Sequence, residues 1–159
     1  MTPTNELSCP CGSPLTLDEC CGRYHQGAAA PDPEALMRSR YSAFALGLNT
    51  YLLATWHPST RPEVLEPDPD TAWKSLVIVH AEPALAHRGQ VHFRAFFCSY
   101  EGERRRKRWH VLEEVSRFVK EDERWWYVDG APTLNRLKPR RNDPCLCGSG
   151  RKLKVCCGE

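Results

Sequence analysis

The amino-acid sequence predicts an α+β domain in which helices cover one face of a curved antiparallel sheet, with a small cysteine module at each end. Apolar residues recur at helical spacing over residues 33–57, and the period then changes to two in four stretches rich in Val, Phe, Trp and Tyr. Eight cysteines in two groups of identical spacing predict the modules. We place the three units at residues 1–29, 30–135 and 136–159.

The first helix is expected to open at Pro33 or Glu34, after the linker that ends with Asp32. Its apolar stripe recurs at i, i+4, i+7 and i+11 and consists of Met37, Tyr41, Phe44 and Leu48. A second helical piece follows Asn49 and must end near His57, because Pro58 comes next. Residues 58–69 are rich in proline and acid and predict an irregular loop.

The four predicted strands are separated by turns or clusters of charged residues, as in an antiparallel meander. They are Trp73–His80, Gln90–Tyr100, Trp109–Val119 and Arg124–Asp129. About a hundred residues suffice for one hydrophobic core. Helices followed by such strands are typical of an α+β fold.

Composition places the chain among ordinary globular proteins, with 159 residues, 41% hydrophobic and 26% charged, and a net charge of +2. No stretch approaches the ~18 uninterrupted apolar residues of a membrane-spanning helix. The start of the chain also lacks the basic and apolar segments of a secretion signal. We therefore expect a cytoplasmic protein with no membrane partner.

Each cysteine group reads C-x-C, then eight residues, then C-C. The groups are Cys9, Cys11, Cys20 and Cys21, and Cys145, Cys147, Cys156 and Cys157. Zinc is bound by four sulfur ligands at the corners of a tetrahedron, which such a pair of turns can supply. Disulfides are the alternative, but they require an oxidising compartment. We expect two Zn²⁺ ions per chain, with His25 as an alternative to Cys21 for the fourth ligand.

The sequence also predicts the local structure of the C-terminal module and the surroundings of the ninth cysteine. Gly148 and Gly150 predict tight turns with positive φ, and residues 151–157 predict a short helix that Gly158 ends. Cys98 lies in an aromatic strand, where we expect buried packing rather than reactivity.

Polar residues on the predicted inner faces indicate a pocket between helix and sheet. The candidates are Arg38, Arg40, Tyr41, Trp56, His57, Glu114, Ser116 and Phe118. A histidine and a buried carboxylate could act as acid and base. The structural alternative is an ion pair between Glu114 and Arg38 or Arg40, with His57 at a helix end. No catalytic residue is assigned, because neither a nucleophile nor an acid pair is evident.

The residues of the C-terminal module, from Arg141-Asn142-Asp143-Pro144-Cys145 through Cys156-Cys157-Gly158, resemble the SEC-C zinc module, first recognised at the C-terminus of the preprotein translocase ATPase SecA. The N-terminal copy is similar but departs from the pattern after Ser13. The resemblance implies zinc ligation and binding to protein partners or the ribosome.

The central region resembles the middle domain of the YchJ-type bacterial proteins. The resemblance rests on residues 36–44, Thr55-Trp56-His57-Pro58-Ser59, Val115-Ser116-Arg117-Phe118 and Trp126-Tyr127-Val128-Asp129-Gly130. It implies a cone-shaped fold like nuclear transport factor two, with a zinc module at each end. Relatives of that fold include isomerases, dehydratases and binding scaffolds, so fold alone does not choose a function.

Basic residues concentrate in two places. Residues 136–159 hold seven basic residues against two acidic ones, a net charge of +5. We expect an acidic partner to contact Arg140, Arg141, Arg151, Lys152 and Lys154. Residues 104–108 form a basic run that is either a solvated hairpin tip or a nucleic-acid contact. Specific DNA binding is not expected.

Two functions follow as hypotheses. The first is a zinc-binding adaptor that docks to a protein or ribosomal partner through its modules, with a rigid cone that can hold a small ligand. The alternative is a small-molecule enzyme of isomerase, dehydratase or hydrolase type, with its active site in the cone.

Overall fold

A computed structural model describes residues 7–66, 68–82 and 85–158. Three helices precede five strands, and one turn of 3-10 helix, Leu153–Val155, lies near the end. The helices are α1 (Cys21–His25), α2 (Pro33–Leu46) and α3 (Asn49–Ala54), and the strands are β1 (Thr71–Ala81), β2 (Arg88–Glu101), β3 (Arg106–Glu121), β4 (Arg124–Gly130) and β5 (Thr133–Leu137). The predicted α+β class is confirmed. None of the helices in these ranges is long and apolar enough to cross a membrane.

Helix α2 begins where the sequence predicts. Asp32 Oδ1 accepts a hydrogen bond from the backbone N–H of Ala35 at 2.7 Å, which caps the first turn, and Pro33 occupies the first helical position. The helix ends at Gly47, whose φ of 74° lies in the left-handed region. This early end places Leu48 outside the helix, so the predicted apolar stripe is shorter than expected.

The segment after α3 joins the helices to the sheet. The backbone N–H of His57 donates to Tyr127 O at 2.7 Å, and the N–H of Tyr127 donates to Thr55 O at 2.9 Å. These two bonds pair the end of the second helical piece with β4. The loop that follows is irregular in the described residues, as predicted.

The sheet is antiparallel, with the strand order β1-β2-β3-β4. The long β2–β3 hairpin is in register from Arg88↔Val119 to Glu101↔Arg106. Strand β1 has an irregularity in its pairing with β2 between Trp73 and Ser75, and this shifts the alternation of side chains between the two faces of the sheet.

Strand β5 is absent from the sequence prediction. It pairs with β3 from Glu113↔Thr133 to Trp109↔Leu137, on the same edge of β3 as β4. Its register continues that of the β3–β4 pair Ser116↔Gly130. Strands β4 and β5 thus form one line along β3, interrupted at residues 131–132, where proline lacks the N–H that a ladder requires. The predicted boundary between residues 135 and 136 lies inside β5.

The main core lies between the helices and the inner face of the sheet. Its buried members are Leu36, Met37 and Tyr41 from α2, Leu76, Val91, Phe93, Ala95, Phe118 and Trp125 from the sheet, and all four N-terminal cysteines. A second cluster lies on the outer face and consists of Cys98, Trp109, Cys145 and Leu153. The buried packing predicted for Cys98 is therefore confirmed, since its exposure is 0%.

The two cysteine modules lie on opposite faces of the sheet at the same point of β1. A Cβ atom added at Gly12 would lie 4.0 Å from Leu76 O, and one added at the equivalent Gly148 would lie 3.9 Å from Ser75 Cβ. Leu76 belongs to the inner core, whereas Ser75 Oγ donates to Leu146 O at 2.5 Å on the outer side. Consecutive residues of one strand therefore lie against the two modules.

Candidate metal centres and cavity

Each cysteine group converges on one point. In both clusters, all four ligand sulfur atoms lie within 4.8 Å of one another. The neighbouring sulfur pairs Cys11–Cys20 and Cys20–Cys21 are 3.7 and 3.9 Å apart. At the other end, the sulfurs of Cys147 and Cys156 are 3.4 Å apart.

These separations fit a tetrahedral metal site. A tetrahedron with zinc–sulfur bonds of about 2.3 Å has sulfur–sulfur edges of ~3.8 Å. All nine cysteines are free rather than joined as disulfides. The two tetra-cysteine clusters thus have the donor set and spacing of metal-binding sites.

The two modules share one hydrogen-bond framework, which confirms the repeat seen in the sequence. The N–H of Cys9 donates to Leu15 O at 3.1 Å, and that of Cys145 donates to Arg151 O at 2.8 Å. In each module a glycine N–H also closes the second turn at 2.8 Å: Gly22 donates to Leu17 O, and Gly158 donates to Leu153 O.

A serine supports the third sulfur of each cluster. Ser13 Oγ donates to Cys20 Sγ at 3.2 Å, and Ser149 Oγ lies 3.1 Å from Cys156 Sγ. The hydroxyl of Ser149, followed by the neighbouring thiol of Cys147, lowers the pKa of Cys156 to about 6. In the C-terminal module, Ser149 therefore stabilises the thiolate of Cys156, the form that binds metal.

Local helical structure in the modules is shorter than the sequence predicts. The glycine turns have the expected positive φ, 85° at Gly148 and 83° at Gly150. The helix expected over residues 151–157 is instead the single 3-10 turn Leu153–Val155. In the N-terminal copy, α1 begins at Cys21, so only the last cysteine of that cluster is helical.

The N-terminal cluster is buried in the main core. Cys9, Cys11 and Cys21 are 3%, 1% and 1% exposed, and Cys20 is 9% exposed. Helix α2 contacts the cluster directly, because Ser42 Oγ lies 3.5 Å from Cys9 Sγ and Arg38 Nη1 donates to Cys11 O at 3.1 Å.

His25 is not among the residues that meet at this cluster. Its Nε2 atom lies 2.9 Å from Ser39 O, and its ring makes an edge contact with Tyr51 at 4.7 Å between centroids. The sulfur of Cys21 occupies the fourth position instead. The alternative in which His25 replaces Cys21 therefore finds no support in the geometry.

The C-terminal cluster is more exposed. Only Cys145 is buried, and the other three cysteines are partly accessible. The cluster rests on Trp109 and Cys98, and Lys107 Nζ donates to Cys157 O at 2.6 Å. This module sits on the sheet without entering the main core.

The predicted partner-binding residues surround this second cluster. The set is exposed and consists of Arg140, Arg141, Arg151, Lys152 and Lys154. Arg151 Nη2 lies 3.7 Å from Cys156 Sγ, so its cationic group adjoins the cysteine sulfurs.

The basic run at residues 104–108 lies at the turn of the β2–β3 hairpin, where the sequence places it. Arg105 pairs with Asp70 at 2.5 Å, and Arg108 Nε lies 3.8 Å from Glu101 Oε2. Together with Lys107, these residues are engaged within the chain. Both interpretations of the run, a solvated tip and a nucleic-acid contact, stay predictions.

A cavity of about 260 Å³ lies between α2 and the inner face of the sheet. Six aromatic side chains supply much of its wall, and two side chains of opposite charge reach it. The lining residues are Met37, Arg40, Tyr41, Phe44, Trp56, Trp73, Phe93, Ala95, Leu112, Glu114 and Tyr127.

Arg40 is the buried cation of the cavity, with 2% of its surface exposed. Its Nη1 atom donates to Leu52 O at 2.8 Å and to Thr55 Oγ1 at 2.6 Å. The guanidinium carbon lies 4.5 Å from the ring centroid of Tyr127 and 5.2 Å from that of Trp56. Burial lowers the pKa of Arg40 to about 10, because the charged form loses hydration.

Glu114 is the anion of the cavity. Its Oε2 atom accepts hydrogen bonds from Ser116 Oγ and from Tyr127 OH. A Cβ atom at Gly130 would lie 2.5 Å from the Glu114 carboxyl carbon, so the glycine leaves the room that the carboxylate occupies. Burial, followed by the charge of Glu114, raises the pKa of Tyr127 and keeps its hydroxyl protonated as a donor.

Four of the eight predicted pocket residues line this cavity, namely Arg40, Tyr41, Trp56 and Glu114. Ser116 lies directly behind Glu114 as its donor, and Phe118 is a core residue with 1% exposure. Neither lines the cavity, because each fills space farther along the same face of β3.

Arg38 and His57 lie elsewhere. Arg38 faces the N-terminal module and pairs with Glu34 at 3.2 Å. His57 Nε2 lies 2.9 Å from Glu121 Oε2 at the surface. The predicted acid–base pair of His57 and Glu114 therefore does not form, because the two side chains belong to different sites. Neither Arg38 nor Arg40 lies within ion-pair distance of Glu114 among the described contacts.

The sequence prediction missed four of the six aromatic lining residues, namely Phe44, Trp73, Phe93 and Tyr127. Tyr127 connects Arg40 to Glu114, and Trp73 packs against Tyr41 and Phe44 with centroids 6.0 Å apart in both cases. Alternation within the strands assigns Trp73 and Tyr127 to a face. It does not show that a gap remains between that face and α2.

Comparison with known proteins places these features in a family. The family model described as "YchJ, middle NTF2-like domain" matches residues 32–130, and the SEC-C motif matches residues 141–159. A UPF0225 protein of Vibrio parahaemolyticus is 43% identical over 170 residues, covering 95% of this chain and 98% of its own length. A UPF0225 protein of Bordetella parapertussis is 48% identical over 132 residues, covering 80% of this chain and 95% of its own.

Two solved structures share the fold. A SEC-C motif containing protein from Psychrobacter arcticus has a TM-score of 0.62 at 31% identity, covering 96% of both chains. A SEC-C motif containing protein from Rhodopseudomonas palustris has a TM-score of 0.65 at 32% identity, covering 79% of this chain and 98% of its own.

Proposed function

The chain belongs to the YchJ family, and from that premise and its two cysteine clusters we propose that it is a cytoplasmic adaptor with two structural Zn²⁺ ions. Its C-terminal module docks to an acidic partner, a protein or the ribosome. The observation that carries the proposal is the contrast between two clusters of the same geometry, one within the core and one exposed among basic side chains.

Zinc fits both clusters for the same chemical reason. Four thiolates satisfy its preferred tetrahedral coordination, and a site filled by four protein ligands is typical of structural rather than catalytic zinc. In the first module the ligands would be Cys9, Cys11, Cys20 and Cys21, and in the second Cys145, Cys147, Cys156 and Cys157. When bound, the ion supplies cross-links that a module of this size needs in order to fold.

Charge favours the C-terminal module as the docking surface. Zn²⁺ with four thiolates contributes −2, so the net charge of residues 136–159 changes from +5 to about +3. The first thirty residues carry one basic and three acidic side chains and become about −4 in the same way. An acidic partner is therefore attracted to one end of the chain and repelled by the other.

Metal content is the first test. We expect native mass spectrometry of freshly purified, reduced protein to find two zinc ions per chain. Cys147→Ser is expected to leave one ion, whereas Cys98→Ala, which removes the cysteine outside both clusters, leaves two. One ion or none in the unaltered chain contradicts the proposed sites.

Docking is tested by charge reversal. The double variant Lys152→Glu with Lys154→Glu is expected to reduce partner capture from lysate most strongly at low salt, while zinc content stays at two. A matched control reverses Arg88 and Lys120, which lie away from the module. Deletion from residue 136 is a poorer test, because it cuts through β5.

Nuclease treatment of the lysate distinguishes a ribosomal from a protein partner. Capture that survives the treatment points to a protein, and capture that is lost points to ribosomal RNA. Equal capture by both double variants at every salt concentration contradicts docking through the C-terminal module.

A further inference from the structure

The cavity between α2 and the sheet holds two opposite charges that do not pair with each other. No ion pair within 4.0 Å joins Arg40 and Glu114 among the described residues, although both reach the same 260 Å³ space. A cation as buried as Arg40 is normally paired and hydrogen-bonded, whereas Glu114 is half-buried. Each group is instead hydrogen-bonded to neighbouring residues, and these bonds leave some of its donor or acceptor atoms unused.

On the cation side, both hydrogen bonds of the guanidinium start from Nη1, which is held by Leu52 O and Thr55 Oγ1. Trp56 and Tyr127 flank the guanidinium and fix its plane. A guanidinium has five N–H groups. The Nε and Nη2 donors of Arg40 have no hydrogen-bond partner among the described residues and remain for a ligand acceptor.

On the anion side, both hydrogen bonds of the carboxylate end on Oε2. Oε1 of Glu114 therefore keeps its lone pairs for a ligand donor. Tyr127 fixes the distance between the two charges, because its ring contacts Arg40 and its hydroxyl contacts Glu114. The donor is thus presented over the face of the Tyr127 ring and the acceptor at its hydroxyl end.

The remaining wall is apolar and largely aromatic. Tyr41, Phe44, Trp73 and Phe93 surround the space, and Phe44, with 40% exposure, lies on the side that opens to solvent. Aromatic rings are bound well by such walls through offset and edge contacts. The volume is somewhat below the ~300 Å³ at which pockets for drug-sized ligands begin, so a molecule of one or two rings fits.

The opposite charges make the cavity electrically neutral as a whole. A cationic ligand would be repelled by Arg40 and an anionic one by Glu114, so a neutral ligand is favoured. We propose that the cavity binds a neutral, planar heteroaromatic molecule with a lactam edge, whose carbonyl oxygen accepts from Arg40 and whose adjacent N–H donates to Glu114. This site is separate from the cysteine clusters and does not depend on the docking function.

The test uses the full chain with its metals and the probe quinolin-2-one, a two-ring lactam. Isothermal titration calorimetry is expected to show saturable binding, one probe per chain, below ~1 mM. N-methylquinolin-2-one keeps the carbonyl and loses the donor, and we expect it to bind at least tenfold more weakly. 2-Naphthoate, an anion of similar size, should also bind at least tenfold more weakly.

Two variants locate the site. Glu114→Gln is expected to weaken quinolin-2-one binding about tenfold, because a charge-assisted hydrogen bond becomes a neutral one. Glu113→Gln is the matched control, since the side chain of Glu113 lies on the outer face of the same strand and pairs with Arg94. It should bind the probe as the unaltered chain does.

Equal affinity for quinolin-2-one and its N-methyl derivative overturns the proposal, as does tighter binding of the anion or no binding up to ~1 mM. The N-methyl comparison is made on the unaltered chain, so it decides the question even if Glu114→Gln does not fold.

Discussion

Loss of the N-terminal metal site should unfold the protein, whereas loss of the C-terminal site should only weaken it. The perturbations are Cys11→Ser and Cys147→Ser, which remove the same ligand from each copy of the module. In the first copy the cluster is continuous with Leu36, Met37 and Tyr41 in the main core. In the second it packs on the outer face through Leu153 and Trp109.

The expected magnitudes differ because the surroundings differ. A structural zinc site contributes ~10–16 kcal/mol to folding, which matches or exceeds the ~5–15 kcal/mol stability of a whole domain. Cys11→Ser should therefore abolish the cooperative transition or lower Tm by more than ~20 °C. Cys147→Ser releases Leu153, which is 1% exposed, and uncovers Trp109. We expect the free energy of unfolding to fall by about 3 kcal/mol and Tm to fall by ~6–12 °C.

The assay combines circular dichroism melts with zinc content on the same samples. Cys98→Ala is the control for loss of a buried cysteine, since its exposure is 0% and it belongs to neither group of four metal-binding cysteines. It should keep two zinc ions and lose only the stability of a small core cavity, ~1–2 kcal/mol. Equal shifts for Cys11→Ser and Cys147→Ser would refute the distinction between a core site and a peripheral one.

Three further outcomes follow from contacts in the central domain. Gly130→Ala should cost ~1–3 kcal/mol in urea unfolding, because its Cβ would lie 2.5 Å from the carboxyl carbon of Glu114, and this cost should shrink in a Glu114→Ala background. Arg40→Met should lower Tm by ~5–10 °C through loss of two hydrogen bonds at a site with 2% exposure, and an unchanged Tm contradicts the role given to the guanidinium. Arg117 holds the pKa of Asp129 below its ordinary value, so the pair adds stability above pH ~3.9 that is lost as pH falls through the lowered pKa. Since the pair is exposed, Asp129→Asn should cost less than ~1 kcal/mol at pH 7 and still less at pH 2, and an equal cost at both pH values contradicts the assignment.

The cysteine clusters were predictable because their geometry is local. The C-x-C turn and the C-C pair of each module lie within thirteen residues, and the repeat supplies the pattern twice. Burial was not predictable in this way. The cysteine spacing is the same in both modules, so it does not indicate that Cys9 lies in the main core and Cys145 outside it.

The cavity was only partly predictable because it depends on how α2 lies across the sheet. Arg38 and Arg40 stand two positions apart on the helix, and the periodicity assigns both to the margins of the apolar stripe. The packing of α2 turns Arg40 inward over Tyr127 and Arg38 outward toward Cys11 O. A sequence pattern gives the angle between two side chains, but it does not give the direction of the helix relative to the sheet.

Strand β5 escaped prediction for a different reason. Residues 133–137 are mostly exposed, so they lack the alternation of apolar and polar residues that marks a half-buried strand. Their pairing comes from the length of β3, which extends beyond β4 and offers free backbone groups along the same edge.

Strand β1 lies against both cysteine modules at Ser75 and Leu76, and this has a consequence for partial opening of the protein. β1 is an edge strand that pairs with β2 alone among the described residues. Edge elements are where native proteins open first in amide hydrogen exchange, below the free energy of global unfolding. Detachment of β1 would free a contact of both modules in one event, so the exchange rate of its amides would report on both modules at once.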